Sequence, residues 1–431
     1  MDRMSNPPQN RPTPRPISTT RGSVAITNAY VVPVASPPIE GGTVLVTDGV
    51  IEAVGTASEV TVPDGVRVVD AGGRWVLPGF VEAHGHVGVH EEGEGWAGND
   101  TNEMTDPNGS HLRALDGINV EEEGFRDALA GGVTTVVVKP GSGNPIGGQT
   151  VAIKTWGGRT VDEQIVSDAV SVKSALGENP KRVYGDQKKT PATRLGVAAV
   201  IRKAFVDAQN YAAKRDAAEQ KGEPFDRDLG KETLVRVLQG ELAWDQHTHR
   251  ADDIATALRL ADEFGYRLVI NHGTEGAELA DVLAERDVPV IFGPMFTSRS
   301  KVELRQRAIA NLGRLARAGV RVAITTDHPV VPINFLVHQA SLAVKEGLDR
   351  DVALQALTVN PASFLRLDER VGALAPGLDG DVVVWSGDPL DVNSRAEQVF
   401  LTGTEVYRWD GDANGGRGAG VVTERSERFA S

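Results

Sequence analysis

His84 and His86 stand one residue apart at the end of Trp75-Val-Leu-Pro-Gly-Phe-Val-Glu-Ala-His-Gly-His86, an apolar, strand-like run broken once at Pro78-Gly79. On a strand, residues i and i+2 project to the same side. Two neutral imidazoles on one face can chelate a divalent metal, zinc above all. Such a pair alone is weak evidence, but three further strand-like runs downstream end in candidates. His247 and His249 fall near the end of Leu242-Ala-Trp-Asp-Gln-His-Thr-His249, His272 closes Tyr266-Arg-Leu-Val-Ile-Asn-His272, and Asp327 closes Val320-Arg-Val-Ala-Ile-Thr-Thr-Asp327.

The elements that must hold these residues are repeated strand–helix units. After His249, Asp252 and Asp253 open an amphipathic stretch with Ile254, Leu258, Leu260, Ala261 and Phe264 at helical spacing. Val288-Pro-Val-Ile-Phe292 reads as the next strand, followed by a helical pattern to about Ala318. Strands alternating with helices imply parallel pairing, and near-continuous apolar strands imply burial on both faces. Polar residues recurring at C-terminal strand ends are what the active-site rim of a (β/α)8 TIM barrel requires.

These motifs together resemble the amidohydrolase superfamily, in its imidazolonepropionase-like and metal-dependent prolidase-like branch. The matching elements are Val76-Leu-Pro-Gly-Phe-Val-Glu-Ala-His-Gly-His86, Gln246-His-Thr-His-Arg250, Asn271-His-Gly273, Thr326-Asp-His-Pro329 and, near the C-terminus, Gly377-Leu-Asp-Gly-Asp-Val-Val-Val-Trp385. The likeness runs from about residue 23 to 410. It implies a metal, most readily zinc, held by His84, His86, His247 and Asp327. His249 then faces the pocket beside substrate. His272 is expected either to bind a second metal or to polarise the substrate carbonyl. Many relatives hold two metals bridged by a lysine carbamate; imidazolonepropionase-like ones manage with one. Lys173, in Val170-Ser-Val-Lys173, is the favoured bridge, with Lys154 in Val151-Ala-Ile-Lys154 as its rival. Asp327 is expected to act as general base and then general acid on a metal-activated water.

Composition agrees with this reading without producing it. The chain has 431 residues and a net charge of −14, which argues against a nucleic-acid surface. It has no cysteine, so disulfides and thiolate ligands are excluded. No run approaches the 18 or so apolar residues of a membrane span, and cytoplasm is the expected location. A Pro- and Arg-rich N-terminus without an apolar core segment reads as a disordered tail over residues 1–22. Short, turn-punctuated strands at 23–78 and 366–410 are each too few to bury a face alone. They are expected to meet in one discontinuous β-sandwich, with the barrel at 79–365 between them and a second loose tail at 411–431. Within the first half, Asp48-Gly49 between two strand-like runs predicts a hairpin.

The substrate is read from weaker signals. Arg250 and Arg299, with Lys301 and Lys181-Arg182, fall on expected rim loops and suit a carboxylate-bearing substrate. The acidic, Gly-rich stretch from His90 to Asp100 has the texture of a lid. Lys139-Pro-Gly-Ser-Gly-Asn-Pro-Ile-Gly-Gly-Gln149 lacks the Gly-Lys-Ser/Thr ending of a P-loop, which excludes that mode of nucleotide binding. His328, adjacent to Asp327, points the other way on an extended chain and is given no role. The leading expectation is hydrolysis of a C–N bond in a cyclic amide, N-acyl amino acid or dipeptide-like molecule. A hydrolytic deaminase is the alternative, and a non-catalytic, assembly-forming relative the third reading. A homo-oligomer acting on a small molecule, with no nucleic-acid or membrane partner, is expected.

Overall fold

The computed structural model describes residues 21–409 and the short strand Val421–Val422. The tails expected at 1–22 and 411–431 therefore fall almost wholly outside the described residues. Both ends of the chain enter one nine-stranded sheet. Its N-terminal half comprises Val24–Val31, Ile39–Thr47, Val50–Thr56, Arg67–Asp70 and Trp75–Pro78, and its C-terminal half Val382–Trp385, Ala396–Leu401, Thr404–Arg408 and Val421–Val422. The halves join where Trp75–Pro78 runs antiparallel to Val382–Trp385, with Val382 opposite Pro78 and Trp385 opposite Trp75. The sheet forks at its first strand, which pairs with Arg67–Asp70 along one half and Trp75–Pro78 along the other. Hydrogen bonding thus joins both halves into one continuous, forked sheet. Its apolar core includes Val24, Ile26, Val44, Val46, Val76, Val382, Val384 and Phe400.

The hairpin at Asp48-Gly49 forms as its sequence predicts. Thr47 lies opposite Val50, and Asp48 and Gly49 have φ of 49° and 82°. Two consecutive positive φ angles give the primed turn whose twist matches the flanking strands.

Between the two halves of this sheet lie the strands that carry the chemistry. Ser171–Ala175, Ala243–Thr248, Leu268–His272, Val290–Phe292 and Val322–Ile324 form a parallel ladder in chain order. Phe80–Gly85 pairs in parallel with Val133–Val138 in a separate sheet. The segment between these ladders runs the other way. Ile146–Gln149 is antiparallel to the Lys173 strand, and Val151–Lys154 is antiparallel to Val133–Val138. The uniformly parallel arrangement expected from strand–helix alternation fails there, because no helix separates Val133–Val138 from Ile146–Gln149. A parallel crossover needs a dozen or more residues, usually helical.

The chain passes from the outer sheet to the His84 strand at Gly79. A Cβ there would lie 2.0 Å from Thr134 Oγ1, so only glycine allows this approach. The step places Phe80, Val81 and Ala83 in the core and brings His84 to the end of a fully buried strand.

Candidate metal centre

Each candidate ligand is carried by the end of a buried strand. His84 and His86 come from Phe80–Gly85 and the residue just beyond it, and His247 and His249 from Ala243–Thr248 and its exit. His272 closes Leu268–His272, while Asp327 lies three residues past Val322–Ile324. His272 and Asp327 have φ of 69° and 54°, a left-handed turn that non-glycine residues seldom adopt. The backbone turns sharply at both points, and both side chains join the cluster.

Two triplets result. In one, His84, His86 and Asp327 bring their ligand atoms within 4.8 Å of one another; in the other, His247, His249 and His272 do the same. The rings of His84 and His272 lie 5.0 Å apart, and those of His272 and His247 4.5 Å, so the triplets are adjacent. His247 thus groups with His249 and His272 rather than directly with His84, His86 and Asp327. Both members of the second His-x-His pair face the same cluster.

Hydrogen bonds fix how the first triplet presents itself. His84 Nδ1 is 2.8 Å from Asn271 Oδ1, and His86 Nδ1 is 2.7 Å from the Lys139 carbonyl. Asn271 directs its Nδ2 at the Asp245 carboxylate, which settles its amide orientation and leaves Oδ1 as the acceptor facing His84. Both imidazoles therefore carry their proton on Nδ1. Their Nε2 lone pairs point at one carboxylate oxygen, Asp327 Oδ1, at 3.2 Å each. Two lone pairs and a carboxylate converging on one point repel unless a cation lies among them. Burial, with the Lys173 charge adding to it, holds His84 well below the usual imidazole range and disfavours a proton as that cation. Although burial opposes it, positive charge placed at the His84 and His86 nitrogens holds the Asp327 carboxyl well below its ordinary value. The donor set of two imidazoles and a carboxylate fits a divalent metal. Carbonyl oxygens that bond the remote imidazole N–H are the usual outer support of such a site.

In the second triplet His272 Nδ1 donates to the Gly293 carbonyl at 2.7 Å, and His249 Nδ1 lies 2.8 Å from Thr274 Oγ1. His247 Nδ1 is buried without a partner. Burial pushes His272 down to about 3, so its ring is neutral and presents only a lone pair at Nε2. With its one N–H given to Gly293, the ring has no proton at Nε2 to offer a substrate carbonyl. Of the two roles expected for His272, ligation of a second metal suits this geometry.

The lysines separate cleanly. Lys173 Nζ lies 3.1 Å from His84 Nε2 and 3.3 Å from the Pro140 carbonyl. It is fully buried, and burial pushes its amine down to about 8. Lys154 instead turns away to the outer sheet, where it pairs with Asp381 and, at 2.8 Å, with Asp379. Its strand runs antiparallel, so its exit lies at the opposite end from the histidines. The expected rim arginines do not converge on the triplets. Arg250 makes a two-pronged pair with Asp252 at 2.8 Å, and Arg299 is exposed, reaching the Arg307 carbonyl at 3.5 Å.

Residues that spacing alone did not single out complete the site. Lys139 pairs with Asp245 and donates to Asn271 Oδ1 at 3.2 Å, so a buried charge pair sits directly beneath His84. Glu82 accepts from Thr326 N at 2.8 Å, Thr326 Oγ1 at 2.7 Å and His84 N at 3.0 Å. It ties the His84 strand to the Asp327 turn, and burial pushes its carboxyl up to about 7 despite those bonds. Glu82 was legible as an acidic residue in an otherwise apolar run; Lys139, at a strand end before a Pro-Gly loop, was the comparable sign.

Known proteins resemble this chain over most of its length. A model of the amidohydrolase family matches residues 240–407. An amidohydrolase of known structure from Thermotoga maritima MSB8 is 45% identical, with a TM-score of 0.86 over 89% of this chain and 100% of that one. Amidohydrolase TasK of Hapsidospora irregularis is 30% identical over 85% of this chain, which spans only 40% of the TasK length. The imidazolonepropionase of Porphyromonas gingivalis is 26% identical over 80% of this chain and 84% of its own. The chain belongs to the amidohydrolase family. It is accordingly a hydrolase acting on carbon–nitrogen bonds, and imidazolonepropionases are among its more distant relatives.

Proposed function

We propose that this protein is a metal-dependent amidohydrolase that cleaves the C–N bond of a cyclic amide, N-acyl amino acid or dipeptide-like substrate. The observation that carries this reading is the convergence of His84 Nε2 and His86 Nε2 on Asp327 Oδ1 at 3.2 Å, with both Nδ1 atoms already bonded to carbonyls. We infer zinc as the ion, bound through His84, His86 and Asp327, with His247, His249 and His272 facing a second ion. Such an ion, when bound, supplies Lewis acidity towards a carbonyl oxygen and lowers the pKa of water.

The chain's own residues then do the rest. Asp327, ionised at rest, accepts a proton from the attacking water. It returns that proton to the departing nitrogen, since an amide nitrogen leaves poorly unless protonated. Lys173 stands beside His84 Nε2, the place a bridging carbamate would take. Burial favours its neutral amine, the form that can react with carbon dioxide. His249, held by Thr274, borders the space above the triplets and orients substrate. Lys301 is half-buried and close enough to feel the Asp327 charge, which suits a carboxylate-bearing substrate better than the tethered Arg250 or the exposed Arg299.

The same reading favours a closed (β/α)8-type barrel. Its support is Thr325 Oγ1 donating to the His84 carbonyl at 2.7 Å and His86 N donating to the His328 carbonyl at 2.9 Å, contacts that join the two ends of the strand series.

Assaying zinc-loaded protein against N-acyl amino acids, dipeptides and lactams tests the function. Release of a free amine and a carboxylate, lost in His84→Ala, is the expected result. Ammonia from aminated rings with no amide cleavage would replace this reading by a deaminase.

A further inference from the structure

A third group of ligand-type side chains lies on the far side of the Asp327 turn. Glu92, Glu122 and His328 bring a carboxylate oxygen from each glutamate and a ring nitrogen within 4.8 Å of one another. His328 is fully buried, yet neither of its ring nitrogens has a hydrogen-bond partner. Burying an imidazole in that state wastes two polar atoms, each costing about 1–3 kcal/mol when unsatisfied. Glu122 is also buried, and neither carboxylate oxygen makes a hydrogen bond of ordinary geometry.

Three separate segments meet here. Glu92 comes from the acidic loop following His90, Glu122 from the approach to helix Gly124–Ala130, and His328 from the turn after Asp327. Gly124 keeps the space among them open, because a Cβ there would lie 2.6 Å from Glu122 Oε2 and 2.8 Å from His328 Nε2. Asp127 adds negative charge nearby: burial raises its carboxyl, and the Glu92 charge raises it further. Glu92, Glu122 and Asp127 have no ion-pair partner among the described residues. A buried and an exposed carboxylate without an ion-pair partner, close to a buried imidazole without a hydrogen-bond partner, make a place for a cation.

We propose that Glu92, Glu122 and His328 bind a divalent transition ion such as zinc, distinct from the ions at the His84 and His247 triplets. One nitrogen and two carboxylate oxygens are a borderline-hard set suited to zinc. The ion clasps the 90–100 loop to the Asp327–His328 turn. That turn is already joined to the catalytic side, since the His328 carbonyl accepts from His86 N at 2.9 Å. Occupancy would therefore order the loop and brace the turn that carries Asp327.

The test is zinc counting after equilibrium dialysis of the full chain, with backbone amide exchange across residues 90–100. Wild type should hold one zinc more than the Glu92→Gln, Glu122→Gln double variant, and zinc should slow exchange in the loop. The exposed Glu92→Gln alone, which removes no core contact, should weaken that one zinc by about tenfold or more, the scale on which even outer contacts of metal sites act. His84→Ala, His86→Ala protein should lose zinc at the catalytic triplet but keep this one. Equal zinc content in wild type and the glutamate double variant would overturn the proposal. Unchanged loop exchange with zinc bound would overturn the clasp.

Discussion

Two buried polar regions of this molecule treat charge in opposite ways. Where the barrel strands meet the outer sheet, Lys154 faces Asp379 and Asp381, and Arg370 bonds Asp379 at 2.9 and 2.8 Å. Every charge there has a partner supplied by the chain itself. At the strand ends, Lys173 has no carboxylate within ion-pair distance among the described residues. There the two imidazole lone pairs of His84 and His86 converge on Asp327. A self-satisfied network is a structural joint, since one missing partner leaves an uncompensated buried charge. A cluster whose donors and acceptors do not cancel calls for a partner from outside, and that is the mark of a site rather than a joint.

Substitutions should divide along this line. The largest effect on turnover is expected at Asp327. Asp327→Asn keeps the shape and one oxygen but loses the proton shuttle, so kcat should fall by about 10²–10⁴-fold. The acidic limb of the rate–pH profile, which reports ionisation of the wild-type carboxylate, should vanish with it. Near-normal turnover in this variant would move proton transfer to another group. Next comes Lys173→Ala, which should abolish activity in a way that short carboxylic acids partly restore, since they can fill the carbamate's place. Failure of every such acid, with metal content unchanged, would reduce Lys173 to a contact.

Glu82→Gln should act more mildly, by about 10–100-fold, the range for groups that orient metal ligands. It keeps one acceptor for Thr326 or His84 but not all three bonds. An unchanged rate would show that the Asp327 turn holds without it. The smallest effect on chemistry is expected at Lys154. Lys154→Ala should leave metal content and kcat near wild type while lowering unfolding stability by about 3–5 kcal/mol, because Asp381 is left buried beside Asp379. Denaturant unfolding read beside the assay checks both halves. Loss of metal from this variant would erase the distinction between joint and site.

Much of the site was legible because strand-end histidines and an aspartate carry their geometry in their spacing. His-x-His at 84–86 and at 247–249, with His272 and Asp327 at later strand ends, needed only the period of a strand to be grouped. What spacing could not reveal was partnership between distant segments. The separation of Lys173 from Lys154 depends on strand direction, and the reversal at 146–154 follows from a short loop that replaces a crossover helix. The tethering of Arg250 by Asp252 is a local bond that a rim position does not disclose. Glu82, Lys139 and Asn271 were visible as polar residues in or beside apolar strands, but their roles depend on contacts across 100 to 250 residues of sequence.

The central claim is that His84, His86 and Asp327 converge to hold a divalent metal ion. Zinc titration of metal-stripped protein, followed by metal analysis after dialysis, tests it most directly. Wild type should regain tightly held zinc together with hydrolytic activity, and the His84→Ala, His86→Ala double variant should retain its fold while losing the zinc of that triplet and all activity. Full zinc content and turnover in the double variant would contradict the account.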